Sequence, residues 1–198
     1  MAGDAAERRR LVVIAGHRGD DHAARAALDD GDADVRASAL GALARCDTLT
    51  AQDLETAMAD ASPVVRRRAA TLAAGHNDAA LLPLLSDGDP SVVEVAAWAC
   101  GERPDENAER PALITALIEL AGSHDDPLCR ESAVAALGAL EAEEGLPAIL
   151  AACSDKPAIR RRAVLALAPF DGPEVDAALQ VALTDRDWQT RQAAEDLL

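Results

Sequence analysis

Apolar residues recur along this chain in a repeating segment, at positions 0, +4, +7 and +8. At 100° per residue these fall on one side of a helix, with polar residues opposite. With Val35, Val65, Val92, Cys129, Ile159 and Thr190 as anchors, the spacings are 30, 27, 37, 30 and 31 residues. Four residues past every anchor stands an alanine: Ala39, Ala69, Ala96, Ala133, Ala163 and Ala194. Arginine follows the anchor directly as Arg36, Arg66, Arg130, Arg160 and Arg191, with Val93 the exception. Each copy is predicted to open a helix. Asp32, Ser62, Asp89, Asp126 and Asp187 stand three before their anchors, where a side chain can satisfy an orphan N–H, while Lys156 departs from the pattern. Pro63, Pro90, Pro127 and Pro157 come next, where no donor is wasted. Shorter apolar stretches between these helices have a helical period of their own: Leu81 to Leu85, Leu113 to Ile118, Leu146 to Leu150 and Val175 to Leu183.

The unit is therefore a pair of antiparallel helices, six times over, and such a pair buries a face only by stacking on its neighbours. The expected fold is all-α: a right-handed α-solenoid occupying residues 1–198 as one domain. A leading helix is expected at 4–15, with repeats near 20–45, 50–75, 78–101, 108–140, 144–168 and 173–198. The leading helix is a degenerate copy, since Arg8-Arg9-Arg10-Leu11 matches Arg66-Arg67-Arg68-Ala69.

Leu-Pro-x-Leu on the first helix, an Asp in the turn and Asp/Ser-Pro-x-Val-Arg-x-x-Ala on the second resemble HEAT repeats. Among these they are most similar to the HEAT-like subtype named after phycobilisome lyases. The resemblance covers nearly the whole chain and implies a scaffold or binding surface. It also implies a ladder between neighbouring units, made by the arginine after each anchor and the turn carboxylates Asp30, Asp60, Asp87 and Asp185. His124 and Ser154 stand at the equivalent turn positions, so the ladder is expected to break or re-route at those joints.

In a HEAT-like array positions +2, +3, +6 and +10 line the concave side, and what varies there is not dictated by the scaffold. Read along the array, this side carries Arg9 and Arg10, then Arg45, then Arg67 and Arg68. Glu94, Val95 and Trp98 follow in the middle unit, then Glu131, then Arg161 and Arg162. The arginine triplets 66–68 and 160–162 thus resolve into one scaffold residue and two groove residues each. Trp98 reads as a groove anchor. The alternative is that its helix is rotated where Val93 replaces the arginine, which would put Trp98 in the core. For the groove arginines the alternative is a solvated face paired to neighbouring glutamates.

Composition narrows the partners. A formal net charge of −16 opposes both nucleic acid and anionic membrane surfaces. Aromatic residues are only 2% against 49% hydrophobic, so the core must be built from Ala, Leu and Val. Arg8 to Arg10 followed by Leu11 to Ala15 mimics the start of a signal peptide, but the apolar run is too short. Cys46, Cys100, Cys129 and Cys153 have no paired spacing and read as reduced thiols of a cytoplasmic protein. Asp30-Gly31-Asp32-Ala33-Asp34 looks like a calcium loop, yet Gly41 stands where the bidentate glutamate belongs. Of His17, His22, His76 and His124, His17 and His76 end equivalent helices two units apart, too far to share a metal, and no cofactor is expected.

Two enzyme classes use similar repeats. The His-Glu pairs that a deoxyhypusine-hydroxylase-like oxidoreductase would need are missing, and no recognisable bilin site suggests a bilin-lyase-like enzyme or accessory subunit. Residues 101–111 read as a long loop beside Trp98, either a tolerated insertion or a lip on the groove. The expectation is a non-enzymatic adaptor. Its concave face would bind an acidic peptide or protein segment, and self-association is compatible with the pattern.

Overall fold

Proline sets where the inner helices begin. Pro63, Pro90, Pro127 and Pro157 are the first residues of their helices in the computed structural model, which describes residues 4–103 and 109–198. Asp32, Asp89, Asp126 and Asp187 each accept from a backbone N–H of the first turn, which is the capping their position predicts. Ser62 does not: its side chain makes no cap bond, and its own N–H is instead tied to the Asp60 carboxylate at 2.8 Å.

Twelve α-helices are found among the described residues, and no strand. The leading helix α1 (Ala5–Arg18) is followed by the pairs α2 (Asp21–Ala26) with α3 (Ala33–Arg45) and α4 (Ala51–Met58) with α5 (Pro63–Ala73). Next, a 3₁₀ turn (Leu82–Ser86) pairs with α6 (Pro90–Gly101), and α7 (Arg110–Ser123) pairs with α8 (Pro127–Ala139). The last pairs are α9 (Leu146–Ala152) with α10 (Pro157–Ala166) and α11 (Pro173–Ala182) with α12 (Trp188–Glu195). Helices α1, α3, α5, α6, α8, α10 and α12 pack in that order as an inner row, and each outer element packs on its own inner partner. The result is an α-solenoid.

One outer helix expected from the pattern is reduced. Leu81 to Leu85 reads as helical, but only a 3₁₀ turn forms, in the unit whose 27-residue spacing is the shortest. The connection from α5 to α6 there runs through residues 74–89, and Pro83 lies within the turn.

The frame of the repeat is seen in burial. Every anchor is at most 2% exposed, and all six alanines at +4 are 0% exposed. These alanines bring the inner helices close, and glycine brings three of them closer still. A methyl on Gly138 would lie 2.7 Å from Ala166 Cβ, one on Gly101 2.9 Å from Ala136 Cα, and one on Gly16 2.7 Å from Ala42 Cα. The expected 101–111 loop begins at the end of α6, but its residues 104–108 lie outside the described part. Arg103 is buried and donates to the carbonyls of Ala73 and Ala79, tying the end of α6 back to the preceding unit.

Candidate functional site

The arginines divide into two sets by what they touch. In the first, the guanidinium presents Nε and Nη2 to both oxygens of a carboxylate in the next unit, a two-pronged bond that fits the planar fork. Arg8 holds Asp30 at 2.7 and 2.9 Å, Arg36 holds Asp60 at 2.8 and 2.8 Å, and Arg66 holds Asp87 at 2.7 and 2.8 Å. Arg130 holds Asp155 at 2.8 and 3.0 Å, and Arg160 holds Asp185 at 2.8 and 2.7 Å. The third nitrogen is used as well: Nη1 of Arg36, Arg66, Arg130 and Arg160 donates to the backbone of its own turn. These bonds pull the carboxyls below their usual range, Asp30 to about 2, chiefly through the hydrogen bond from arginine.

The two irregular joints part company. At the Ser154 joint the ladder is re-routed by one residue, since Asp155 takes the fork of Arg130. At the His124 joint it is absent from both ends, with buried Val93 in place of the arginine. His124 keeps only the local half of the aspartate's role, its Nδ1 accepting from Asp126 N at 3.1 Å. A cleft of about 750 Å³ opens there on the outer side, between Leu85, Pro90, Leu120 and His124.

The second set of arginines lines a groove along the inner row. Its N-terminal hollow, about 460 Å³, is bounded by Arg9 of α1, Arg45 of α3, Arg67 and Arg68 of α5, and Val95 of α6. Arg68 is half-buried because Gly41 on α3 leaves room for it, and a methyl at Gly41 would collide with its Nη2. Burial, reinforced by repulsion from Arg45, holds the Arg68 guanidinium below its ordinary value. Among the described residues, none of these four side chains makes an ion pair or a hydrogen bond, and the one carboxylate lining the hollow is Asp34.

Val95 also belongs to the next hollow, about 610 Å³, which brings together Glu94, Trp98, Leu128, Glu131 and Arg162. Trp98 is 43% exposed there, beside Leu128 at 56%. Arg162 approaches Glu131 to 3.6 Å, so this arginine is partnered. Two groove candidates lie in neither hollow. Arg10 faces Glu7 one turn earlier at 3.9 Å, and Arg161 is bonded to the Gln189 side chain. Leu128 and Val64, both at the position before an anchor, were missed by sequence reasoning although they line the groove. Their signal was an apolar residue where Asp34 and Ser91 stand in other units.

The remaining chemistry is sparse. Burial pushes the thiols of Cys100, Cys129 and Cys153 up to about 12, 11 and 11, which keeps them protonated at neutral pH. Among the described residues no group of three or more His, Cys, Asp or Glu could hold a metal ion, and no helix is long and apolar enough to cross a membrane.

Comparison with known proteins places the fold. A search of curated proteins finds no match. Among solved structures the chain is similar to the YibA protein of E. coli, with 17% identity, a TM-score of 0.68, and coverage of 98% of this chain and 75% of that one. It is similar to an engineered protein at 19% identity and a TM-score of 0.66, covering 90% and 95%. A designed armadillo repeat protein, solved in complex with the peptide (KR)4, matches at 15% identity and a TM-score of 0.60, covering 98% and 97%. At these identities the likeness carries the fold alone. The family model for HEAT repeats matches residues 50–138 and again 114–198, well over half of the sequence. With the ladder and the stacked pairs in view, the chain belongs to the HEAT-repeat family.

Proposed function

We propose that this protein is a non-enzymatic scaffold whose inner groove holds an acidic peptide or protein segment. One observation carries the reading: the ladder arginines are all matched to carboxylates or backbone, whereas Arg9, Arg45, Arg67 and Arg68 face open groove with none. In a chain of net charge −16, four arginines gathered around a hollow whose one lining carboxylate, Asp34, is bonded to none of them suit an incoming anion. Trp98, with Val95 and Leu128, supplies the apolar anchor beside them, the residue type that dominates many interfaces. The designed armadillo protein that shares the fold was solved with a basic peptide. The groove charge here fits a ligand of opposite sign. Within the family we place the repeats near the phycobilisome-lyase subtype on their Pro-x-Val-Arg stretches, and a cytoplasmic setting fits the unpaired cysteine spacing.

The test is a labelled peptide of aspartates and glutamates carrying one leucine, titrated into the whole chain by fluorescence anisotropy. The double substitution Arg67→Glu and Arg68→Glu should weaken binding by about tenfold or more, roughly 1.4 kcal/mol, with the melting temperature unchanged. Trp98→Ala should cost about 2 kcal/mol of binding. Equal affinity in the parent and both variants would overturn the reading.

A further inference from the structure

Two arginine triplets of the same sequence pattern meet different fates. In α10, Arg161 is bonded to Gln189 and Arg162 lies 3.6 Å from Glu131, so both groove members are engaged within the protein. In α5, Arg67 and Arg68 have no such partner among the described residues, and Arg9 and Arg45 join them around one hollow of about 460 Å³. The hollow is shaped for guanidinium groups. Gly41 makes space for Arg68, and a methyl on Gly16 would approach Arg45 Nη2 to 2.9 Å. Arg68 is half-buried with Arg45 close enough to repel it. Holding like charges together in partial burial is unfavourable unless something of opposite sign completes the site.

A single carboxylate completes it poorly. It brings one negative charge and two acceptor oxygens to as many as four guanidinium groups. A phosphate monoester brings a charge of about −1.5 to −2 at neutral pH and three strong acceptor oxygens, which several forks can share in two-pronged bonds. Building on the groove reading above, we infer that the Arg9/Arg45/Arg67/Arg68 hollow is a phosphate-class dianion site, filled by a phosphorylated side chain of the bound segment. The next hollow then takes an apolar side chain of the same segment on Trp98, Val95 and Leu128. The hollows are centred about two helix layers apart, roughly 16–20 Å at the usual ~8–10 Å per layer. That distance is spanned by about five or six residues of extended chain at ~3.3 Å each.

Calorimetric titration of the whole chain with inorganic phosphate, sulfate and acetate at constant ionic strength reads the site directly. Phosphate and sulfate should bind near pH 7.5 about tenfold or more tightly than acetate. Phosphate should weaken near pH 5.5 while sulfate does not, because inorganic phosphate takes up a proton and becomes a monoanion between these two pH values, whereas sulfate stays a dianion and arginine does not titrate there. Asp34 is the one carboxylate lining the hollow, and Asp34→Asn should preserve the difference between the two anions. Arg45→Ala and Arg68→Ala should each reduce phosphate affinity by about tenfold, Arg68→Lys should recover only part of it, and Arg161→Ala should leave it unchanged. Melting curves verify that each variant folds. An extended peptide with phosphoserine six residues from a leucine is then compared with its serine and aspartate counterparts.

Phosphoserine binding about tenfold tighter than aspartate, and dependent on Arg68, supports the inference. Equal binding of the two peptides overturns it while sparing the acidic-segment reading. Binding of inorganic phosphate with neither peptide bound sinks the acidic-segment reading and assigns the hollow to free phosphate. No phosphate binding at millimolar concentration, or binding indifferent to Arg45 and Arg68, overturns the inference, as does an oligothymidylate that binds more tightly than the phosphopeptide.

Discussion

Gly138 and Gly41 both sit on the inner row, yet a methyl group would act on them differently. At Gly138 it would meet Ala166 Cβ at 2.7 Å and the Ala166 backbone at 2.8 Å, so two helices would have to separate. Gly138→Ala should therefore destabilise the protein by about 1–3 kcal/mol despite the better helix propensity of alanine, measured as a lower urea midpoint. At Gly41 the obstacle is the far end of a flexible side chain, Arg68, which can swing away. Gly41→Ala should leave stability within about 0.5 kcal/mol while lowering anion binding in the N-terminal hollow. If both variants lose stability equally, Gly41 serves packing and not the site. At this scale the sequence was partly legible. The apolar period placed Ala39 in the core, where it is buried, but left Trp98, which is 43% exposed, open between groove and core, because a rotation of its helix would change its angle. It gave no sign of Gly138, since closeness between helices depends on depth, which periodicity does not encode.

At the scale of elements, the ladder ties neighbouring units together by an arginine and a carboxylate. Its carboxyls are depressed in the folded chain, Asp30 to about 2, with Asp60, Asp87, Asp155 and Asp185 shifted the same way. A carboxyl with a lower pKa when folded contributes stability that is fully present above its unfolded value, about 3.9, and is lost as pH falls through the folded one. Stability should thus be flat from neutrality to about pH 5 on account of these groups. It should then fall steeply toward pH 2, with the melting temperature tracking the loss. A melting temperature independent of pH across that acid range would mean the rungs contribute nothing. Most of this ladder could be read from residue spacing and family resemblance. The Asp155 rung could not, because a guanidinium on a long stem reaches either of two adjacent turn residues, and only geometry decides between Ser154 and Asp155. The reduced outer element was also hidden: Leu82 to Leu85 is as apolar as a helix, and an apolar run this short does not show whether it winds as α or as 3₁₀.

For the whole molecule, stability in a repeat array is a sum of units and the contacts between neighbours, so a weak joint shows locally. The joint without a rung is the one where Val93 and His124 stand, next to the 3₁₀ turn Leu82–Ser86, and there α6 packs on α8 with no such pair between them. Hydrogen exchange should find the amides of 82–86 less protected than those of α4 or α7 at equal depth, reflecting the lower cost of local opening. Uniform protection across the outer layer would show that packing alone secures this joint. The rungs at the other joints join an arginine to a carboxylate 21 to 25 residues further on, so each closes over a connection within that range. Where Val93 and His124 stand there is no rung, and it is there that the anchor spacing reaches 37 residues. The longest connection between anchors is thus the one that no arginine–carboxylate pair has to close.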